Sequence, residues 1–347
     1  MAIHASAPNK IHIAGEHSVV YGGLALIAPV ELEGRRNSVE LSVSESNEEE
    51  FVFSGDLGRF TIRPDGSQGG AEIYFPMAQC VRAVFEKTGF SLRGSGRKFE
   101  CVLHYGGAPK GTGNSASIPA ALAAALYRQL GVTPGEDDIF NAAYAVDNIY
   151  HGGKSSGGDV RAVISAGPLL FRKVFANGTA SFEYRNVGLR PPEGAELLLA
   201  DSYKSGPLAN TAEQISTFAR RHGIAKPPAE LPETERKTVT APFDAIVEKM
   251  EKEFAAGGNP AELGRLFDQN HRLLAESGVS SEGIEECVSI SRQNGALGAK
   301  LIGAGGNGGA VLALCEKKGI PKIRKALAER KFAAYPVTFS QRGASVD

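Results

Sequence analysis

Residues 106–117 read GGAPKGTGNSAS, and this glycine-rich stretch lies between a predicted strand and a predicted helix. Glycine lets the backbone turn tightly and approach a ligand closely, and a helix start offers free N–H groups that suit phosphate. Ser117 could cap the helix or could bind Mg²⁺ or a phosphate oxygen. The stretch lacks both the Gly-Lys-Ser/Thr ending of a P-loop and the GxGxxG spacing of a dinucleotide fold. It indicates either a phosphate-binding loop of another kind or a plain glycine-rich turn.

The segments around this loop predict a mixed α+β fold. Strands are predicted at residues 10–14, 24–32, 39–43, 51–53, 60–62 and 99–105, as a pair within 160–175, and at 197–200, 299–302, 311–314 and 333–339. Helices are predicted at residues 74–88, 117–130, 136–150, 209–220, 241–255, 260–277, 281–294 and 320–330. Arg190-Pro191-Pro192 predicts a boundary between an N-terminal domain, residues 1–190, and a C-terminal domain, residues 191–347.

Length and composition exclude several classes of protein. The chain has 347 residues, of which 42% are hydrophobic, so it is long enough for two domains with real cores and is not disordered. Its 38 Lys and Arg against 39 Asp and Glu give no electrostatic reason to bind nucleic acid or an anionic membrane. No apolar stretch is long enough to cross a membrane. We therefore expect neither nucleic acid nor a membrane as a partner.

The cysteines and the N-terminus predict a cytoplasmic protein. The four cysteines are far apart and form no metal-binding pattern, so we expect buried, reduced thiols. They are Cys80, Cys101, Cys287 and Cys315. The first ten residues, MAIHASAPNK, lack the apolar run of a secretory signal.

Three further segments carry candidate functional groups. Residues 7–22 read APNKIHIAGEHSVVYG, and strand alternation puts Lys10 and His12 on one face. The simplest interpretation is a surface lysine, with His12 as a structural or surface residue. Residues 147–159 read DNIYHGGKSSGGD, and the carboxylates at its two ends could hold Mg²⁺ and handle a hydroxyl proton, or merely end a helix and form a turn. Residues 303–309 read GAGGNGG between two predicted strands, which favours a ligand-facing loop over a flexible linker.

In this order the four segments resemble the motifs of the GHMP kinases, and the resemblance runs from about residue 3 to residue 315. Within that family the stretch GEHSVVYG is most similar to the mevalonate kinases. The resemblance implies a two-domain kinase, with an N-terminal domain similar to the ribosomal S5 domain 2 fold, a ferredoxin-like C-terminal domain and the active site between them. It also implies ATP and Mg²⁺, a small-molecule substrate for which mevalonate is favoured, and, as a family-level expectation, a homodimer.

The resemblance also implies roles for individual residues. Asp159 resembles the catalytic aspartate and Lys10 the lysine that pairs with it. Ser117 and Asp147 resemble the residues that bind Mg²⁺. The positions similar to those near the acceptor substrate are Glu16, His17, Thr211 and Ala304. The residues over which the ATP phosphates would lie are Pro109, Lys110, Gly111, Thr112, Gly113, Asn114, Ser115, Ala116 and Ser117.

The sequence departs from the family pattern at some of these positions. Ser115 stands where the family has a glycine, Ala116 where it has a serine, and Asp147 where it has the longer glutamate. Lys154 replaces a customary proline in a loop that is one residue longer than usual. Two alternatives to a mevalonate kinase therefore stay open. One is a kinase for another hydroxyl acceptor, such as a sugar, an amino-acid alcohol or phosphomevalonate, and the other is a catalytically silent ligand sensor.

Overall fold

The computed structural model describes residues 2–176 and 178–347 and confirms a mixed α+β fold. The strands are β1 (Ile3–Ala7), β2 (Asn9–Ala14), β3 (Leu24–Leu32), β4 (Asn37–Glu45), β5 (Phe51–Gly55), β6 (Gly58–Ile62), β7 (Gln68–Gly70), β8 (Arg97–His104), β9 (Leu169–Ala176), β10 (Thr179–Asn186), β11 (Ala195–Asp201), β12 (Ala296–Ile302), β13 (Ala310–Glu316), β14 (Ala334–Phe339) and β15 (Ser345–Val346). The helices are α1 (Met77–Thr88), α2 (Asn114–Gln129), α3 (Glu136–Tyr150), α4 (Gly158–Ile164), α5 (Thr211–Arg221), α6 (Glu233–Ala255), α7 (Pro260–Glu276), α8 (Glu282–Gln293) and α9 (Ile320–Glu329).

The first sheet has the strand order β15-β1-β4-β8-β5-β6-β7. Helices α1, α2 and α3 pack together, and α2 lies on β1 and β4. Helix α2 is rich in alanine and is buried over most of its length, so that backbones approach closely at the centre of this core. Its first turn follows the glycine-rich loop, and the fold therefore presents the N-terminus of a buried helix at the end of that loop.

The second sheet joins the two halves of the chain. Its order is β10-β9-β3-β14-β11-β13-β12, and β2 pairs with β3. Strand β3 comes from the first half and β14 from the second, and they pair in the register Val337↔Leu32 and Phe339↔Val30. One continuous sheet therefore contains strands from both sides of residue 190. The predicted division into two domains at that residue stays a prediction.

Two predicted elements differ from the structure. Residues 160–164, predicted as the start of a strand, belong to helix α4, and only β9 is a strand in that region. Every residue of α4 is buried, so its apolar pattern cannot distinguish a buried helix from a buried strand. Helix α6 begins at Glu233 rather than at residue 241, with acidic side chains in a first turn that the helix dipole favours.

The four cysteine thiols are free and buried, as predicted. Among the described residues, none of the helices combines the length and the apolar character that crossing a membrane requires.

Candidate active site

The structure brings the four glycine-bearing segments together around one cavity of about 370 Å³. Each segment contributes side chains or backbone to its wall. The first supplies Lys10, His12, Glu16 and His17, the second Lys110, Gly111, Gly113, Asn114 and Ser115, the third His151, Ser156 and Asp159, and the fourth Gly303, Ala304, Gly305 and Gly309. Thr211, at the start of α5, also lines the cavity. Segments that are remote in sequence thus form a single candidate site.

Asp159 is held by two side chains of β2. The Lys10 Nζ atom lies 2.9 Å from Asp159 Oδ2, and the His12 Nε2 atom lies 2.8 Å from Asp159 Oδ1. All three residues are buried. Burial by itself raises the pKa of Asp159, but the Lys10 charge and the hydrogen bond with His12 outweigh it and hold that pKa well below its usual range. The Asp159 carboxylate is therefore ionised at neutral pH.

The glycine-rich loop lies against Lys10. The Lys10 Nζ atom donates to the Gly111 carbonyl at 3.0 Å, and the Lys10 amide donates to the Thr112 carbonyl at 2.8 Å. Gly113 has a φ of +86°, and a Cβ atom there would come within 2.7 Å of Lys10 Cγ. Only glycine adopts this left-handed backbone conformation readily and leaves room for the Lys10 side chain. The Ala116 N–H donates to the Gly113 carbonyl at 3.0 Å, whereas the N–H groups of Asn114 and Ser115, at the very start of α2, can face an anion.

The predicted nucleotide residues divide into two groups. Lys110, Gly111, Gly113, Asn114 and Ser115 line the cavity, whereas Pro109, Thr112, Ala116 and Ser117 are not part of its lining. Lys110 Nζ donates to the Ala209 carbonyl, and burial lowers the pKa of Lys110. The Thr112 hydroxyl donates to the Pro109 carbonyl at 2.6 Å, which ties the loop to itself.

The two residues predicted to bind the metal do not meet. Ser117 is completely buried, and its hydroxyl accepts a hydrogen bond from Asn37 Nδ2 at 2.5 Å. The Asp147 carboxylate instead accepts hydrogen bonds from Ser115 Oγ at 2.7 Å and from Ser155 Oγ at 2.6 Å. Ser115, which stands where the family has a glycine, thus takes the place beside Asp147 that the resemblance implied for Ser117.

The surroundings of Asp147 fit a divalent cation. Asp147 is completely buried, and within residues 2–176 and 178–347 no lysine or arginine lies in ion-pair distance of it. Donor atoms of Asp147, His151 and Asp159 all lie within 4.8 Å of one another. A buried carboxylate without a cationic partner is costly, and oxygen ligands of this kind suit Mg²⁺.

The opposite wall carries Glu16 and His17. The Glu16 carboxylate forms a buried ion pair with Lys300 Nζ, and its other oxygen has no partner among the described residues. The His17 Nε2 atom lies 3.1 Å from the Ala304 carbonyl oxygen, and burial lowers the pKa of His17 to about 4. His17 is therefore a neutral imidazole at neutral pH, stacked on Phe218 with the ring centroids 5.2 Å apart.

Sequence reasoning missed three of these contacts. The interpretation of His12 as a structural or surface histidine overlooked its bond to Asp159, although strand alternation already placed it beside Lys10. Lys300 was visible as a lone lysine in an apolar strand, a position where burial demands a partner. Ser155 offered no signal, because nothing in a glycine-rich loop tells which serine turns inward.

Known proteins and family models match this chain over much of its length. Residues 77–167 match the model of the GHMP kinases N terminal domain, and residues 246–334 match the GHMP kinases C terminal model. Together the two matches cover just over half of the chain. The mevalonate kinase of Aeropyrum pernix is 28% identical over 349 residues, which is 100% of this chain and 98% of that protein. The mevalonate kinase of Thermococcus onnurineus is also 28% identical, over 92% of this chain and 90% of that protein.

Solved structures show the same fold. The L. major mevalonate kinase in complex with R-mevalonate has a TM-score of 0.72 at 22% identity, over 96% of this chain and 95% of that one. Streptococcus pneumoniae phosphomevalonate kinase with phosphomevalonate and AMPPNP has a TM-score of 0.71 at 15% identity, over 97% and 99% of the two chains. Lactococcus lactis galactokinase with galactose has a TM-score of 0.74 at 17% identity, over 99% and 95%.

Proposed function

Because this chain belongs to the GHMP kinase family, we propose that it is a mevalonate kinase, transferring the γ-phosphoryl group of ATP to the 5-hydroxyl of mevalonate. The observation that carries this proposal is the ion-paired Asp159 and Lys10, which share one cavity with the glycine-rich loop and the start of α2. The choice of mevalonate is supported by relatives of that name that match over nearly the full length of both chains.

Phosphoryl transfer needs positioning and charge neutralisation more than covalent chemistry. The loop from Gly111 to the start of α2 would receive the ATP phosphates on its backbone N–H groups. Lys10 would stabilise both the transferring phosphoryl group and the Asp159 carboxylate. Asp159, ionised and fixed, would hold the acceptor hydroxyl in line and accept its hydrogen bond.

We propose Asp147 as the residue that holds Mg²⁺, with Ser115 rather than Ser117 as the hydroxyl at that site. When bound, Mg²⁺ neutralises charge on the ATP phosphates. Ser115 and Ser155 occupy both carboxylate oxygens of Asp147, so they fix the direction in which its remaining lone pairs point.

The acceptor would lie against Glu16, His17, Thr211 and Ala304. The neutral His17 ring donates from Nε2 to the Ala304 carbonyl, so its Nδ1 atom would accept a hydrogen bond from a substrate hydroxyl. Glu16 Oε2, which has no partner among the described residues, would accept one in the same way. The cavity wall also includes large, mainly apolar side chains, which would suit a nucleotide base. They are Leu57, Ile73, Met77, Tyr105, Ile118 and Tyr150.

Two further proposals rest on the sequence alone. A cytoplasmic location is consistent with four separate, reduced cysteines, and a homodimer follows from the family resemblance. Sedimentation of the purified protein tests the second.

The experiment is ADP release with ATP and Mg²⁺ across a panel of acceptors: mevalonate, phosphomevalonate, galactose and homoserine. We expect turnover on mevalonate that falls about 10²–10⁴-fold in Asp159→Asn. Turnover on one of the other acceptors but not on mevalonate would keep the kinase reaction and assign a different substrate. ATP binding with no turnover on any acceptor would favour a catalytically silent ligand sensor.

A further inference from the structure

We propose that His12 is a positioning residue for phosphoryl transfer, which fixes the plane of the Asp159 carboxylate by donating from Nε2 to Oδ1. This inference rests on the proposed function. His12 is 5% exposed and lies at the wall of the cavity, two residues from Lys10 on the same face of β2.

The contact with Asp159 determines that the Nε2 atom of His12 carries a proton. An ionised carboxylate only accepts hydrogen bonds, so His12 Nε2 must carry a proton to bond at 2.8 Å. The other ring nitrogen, Nδ1, is buried and has no partner among the described residues. Among the described residues, Asp159 is thus the one hydrogen-bond partner of the His12 ring.

Lys10 cannot fix Asp159 without help. The terminal torsion of an aspartate side chain is broad and roughly two-fold, so a single contact to Oδ2 leaves the carboxylate able to rotate. Lys10 is anchored independently, since its Nζ atom also donates to the Gly111 carbonyl at 3.0 Å. A second donor on Oδ1 removes the remaining freedom and directs the outward lone pairs of the carboxylate toward one place in the cavity.

Loss of this hydrogen bond should therefore affect kcat more than KM. The segments proposed to bind ATP and the acceptor contact other residues, whereas misplacing the group that orients the reacting hydroxyl by about 1 Å costs on the order of 100-fold in rate. A purely structural histidine would instead change stability, with kcat of the folded fraction unaffected.

Three substitutions separate these roles. His12→Ala removes the donor. His12→Gln places an amide nitrogen at the same number of bonds from the backbone as Nε2, whereas the amide of His12→Asn corresponds to Nδ1 and falls short of Asp159. We expect kcat on mevalonate to fall about 10- to 100-fold in His12→Ala and His12→Asn, with KM values within about threefold, and His12→Gln to recover most of the loss. Equal impairment of His12→Gln and His12→Ala, or an unchanged kcat in His12→Ala, would overturn the proposal.

A spectroscopic measurement keeps this test separate from the identity of the substrate. The ¹⁵N resonances of His12 in the wild-type protein should show a protonated Nε2, and the Nε2–H signal should shift in Asp159→Asn. A proton on Nδ1 with a bare Nε2 would overturn the inference whatever the acceptor is. Wild-type silence on mevalonate with the expected His12 signals would instead count against the proposed function alone.

Discussion

Single residues set the charge of the active site. Asp159 stays ionised because a lysine and a histidine each bond one of its oxygens, and His17 stays neutral because it is buried. Among the described residues, Asp147 has no lysine or arginine beside it; two serine hydroxyls donate to it, and His151 Nδ1 lies 3.4 Å away. Asp159 is therefore already neutralised, as is Glu16 by Lys300, whereas Asp147 can still accept a metal ion.

The two serines near the start of α2 should behave differently. Ser115→Ala removes a hydrogen bond to Asp147, and we expect the Mg²⁺ concentration for half-maximal activity to rise about tenfold. Ser117→Ala removes the bond with Asn37, the one side-chain hydrogen bond of Ser117 within the described residues, so we expect lower thermal stability and an unchanged Mg²⁺ requirement. Titration of activity with Mg²⁺ measures both. The reverse result would restore Ser117 as the residue at the metal site.

At the scale of secondary structure, strand β2 and the turn that leads into α2 contact each other directly at the centre of the site. Their contact depends on Gly113, because the Lys10 side chain fills the space where any other residue would place its Cβ atom. Lys10 is thereby held between the glycine-rich loop and Asp159. A substitution in the loop that displaces Lys10 should therefore also displace Asp159.

Gly113→Ala should accordingly abolish most activity. Gly131 provides a matched control at the other end of α2, since its φ of +71° is also left-handed but a Cβ atom there would meet nothing within 4 Å. Both substitutions should cost about 1–2 kcal/mol of unfolding free energy for the backbone alone. We expect only Gly113→Ala to lose activity beyond its folded fraction, as measured by ADP release. Equal loss in both variants would show that backbone strain, and not the Lys10 contact, matters.

Element type was predictable where the apolar period was clear. Helices α7, α8 and α9 show a helical period and lie close to their predicted positions, and β11, β12 and β13 were recognised from short apolar runs. Helix α4 was not, because burial on every side erases the period. The glycine motifs identified the site, but the side chains that meet across it, such as His12 with Asp159 and Ser115 with Asp147, depend on packing between segments more than 30 residues apart.

At the scale of the whole molecule, a shared sheet and a buried ion pair connect the two halves. In the second sheet, strands β10, β9 and β3 of the first half lie side by side, and β3 pairs with β14, which begins the block of second-half strands. Lys300 on β12 reaches Glu16 in the first motif, and both side chains are at most 1% exposed. Burial lowers the pKa of Lys300, and the negative charge of its partner Glu16 offsets only part of that lowering. Composition could predict two domains, but only the structure reveals this connection.

Breaking that pair should destabilise the molecule. Glu16→Gln leaves a buried lysine unpaired, and we expect a loss of about 3–5 kcal/mol in unfolding free energy. The double variant with Lys300→Met should recover a large part, because no buried charge remains. Lys237→Gln, which removes the exposed partner of Glu233 and leaves the acidic first turn of α6 intact, is the control and should change nothing measurable. Urea unfolding gives all four values, and a double variant no better than Glu16→Gln would contradict this account.

The most direct test of the central claim is to identify the product by ³¹P NMR after incubation with ATP, Mg²⁺ and mevalonate. We predict a phosphate monoester whose phosphorus couples to two methylene protons, as phosphorylation of the primary 5-hydroxyl requires, formed by the wild-type chain and not by Asp159→Asn. Inorganic phosphate as the only product, or unreacted ATP beside a folded, ATP-binding protein, would contradict it.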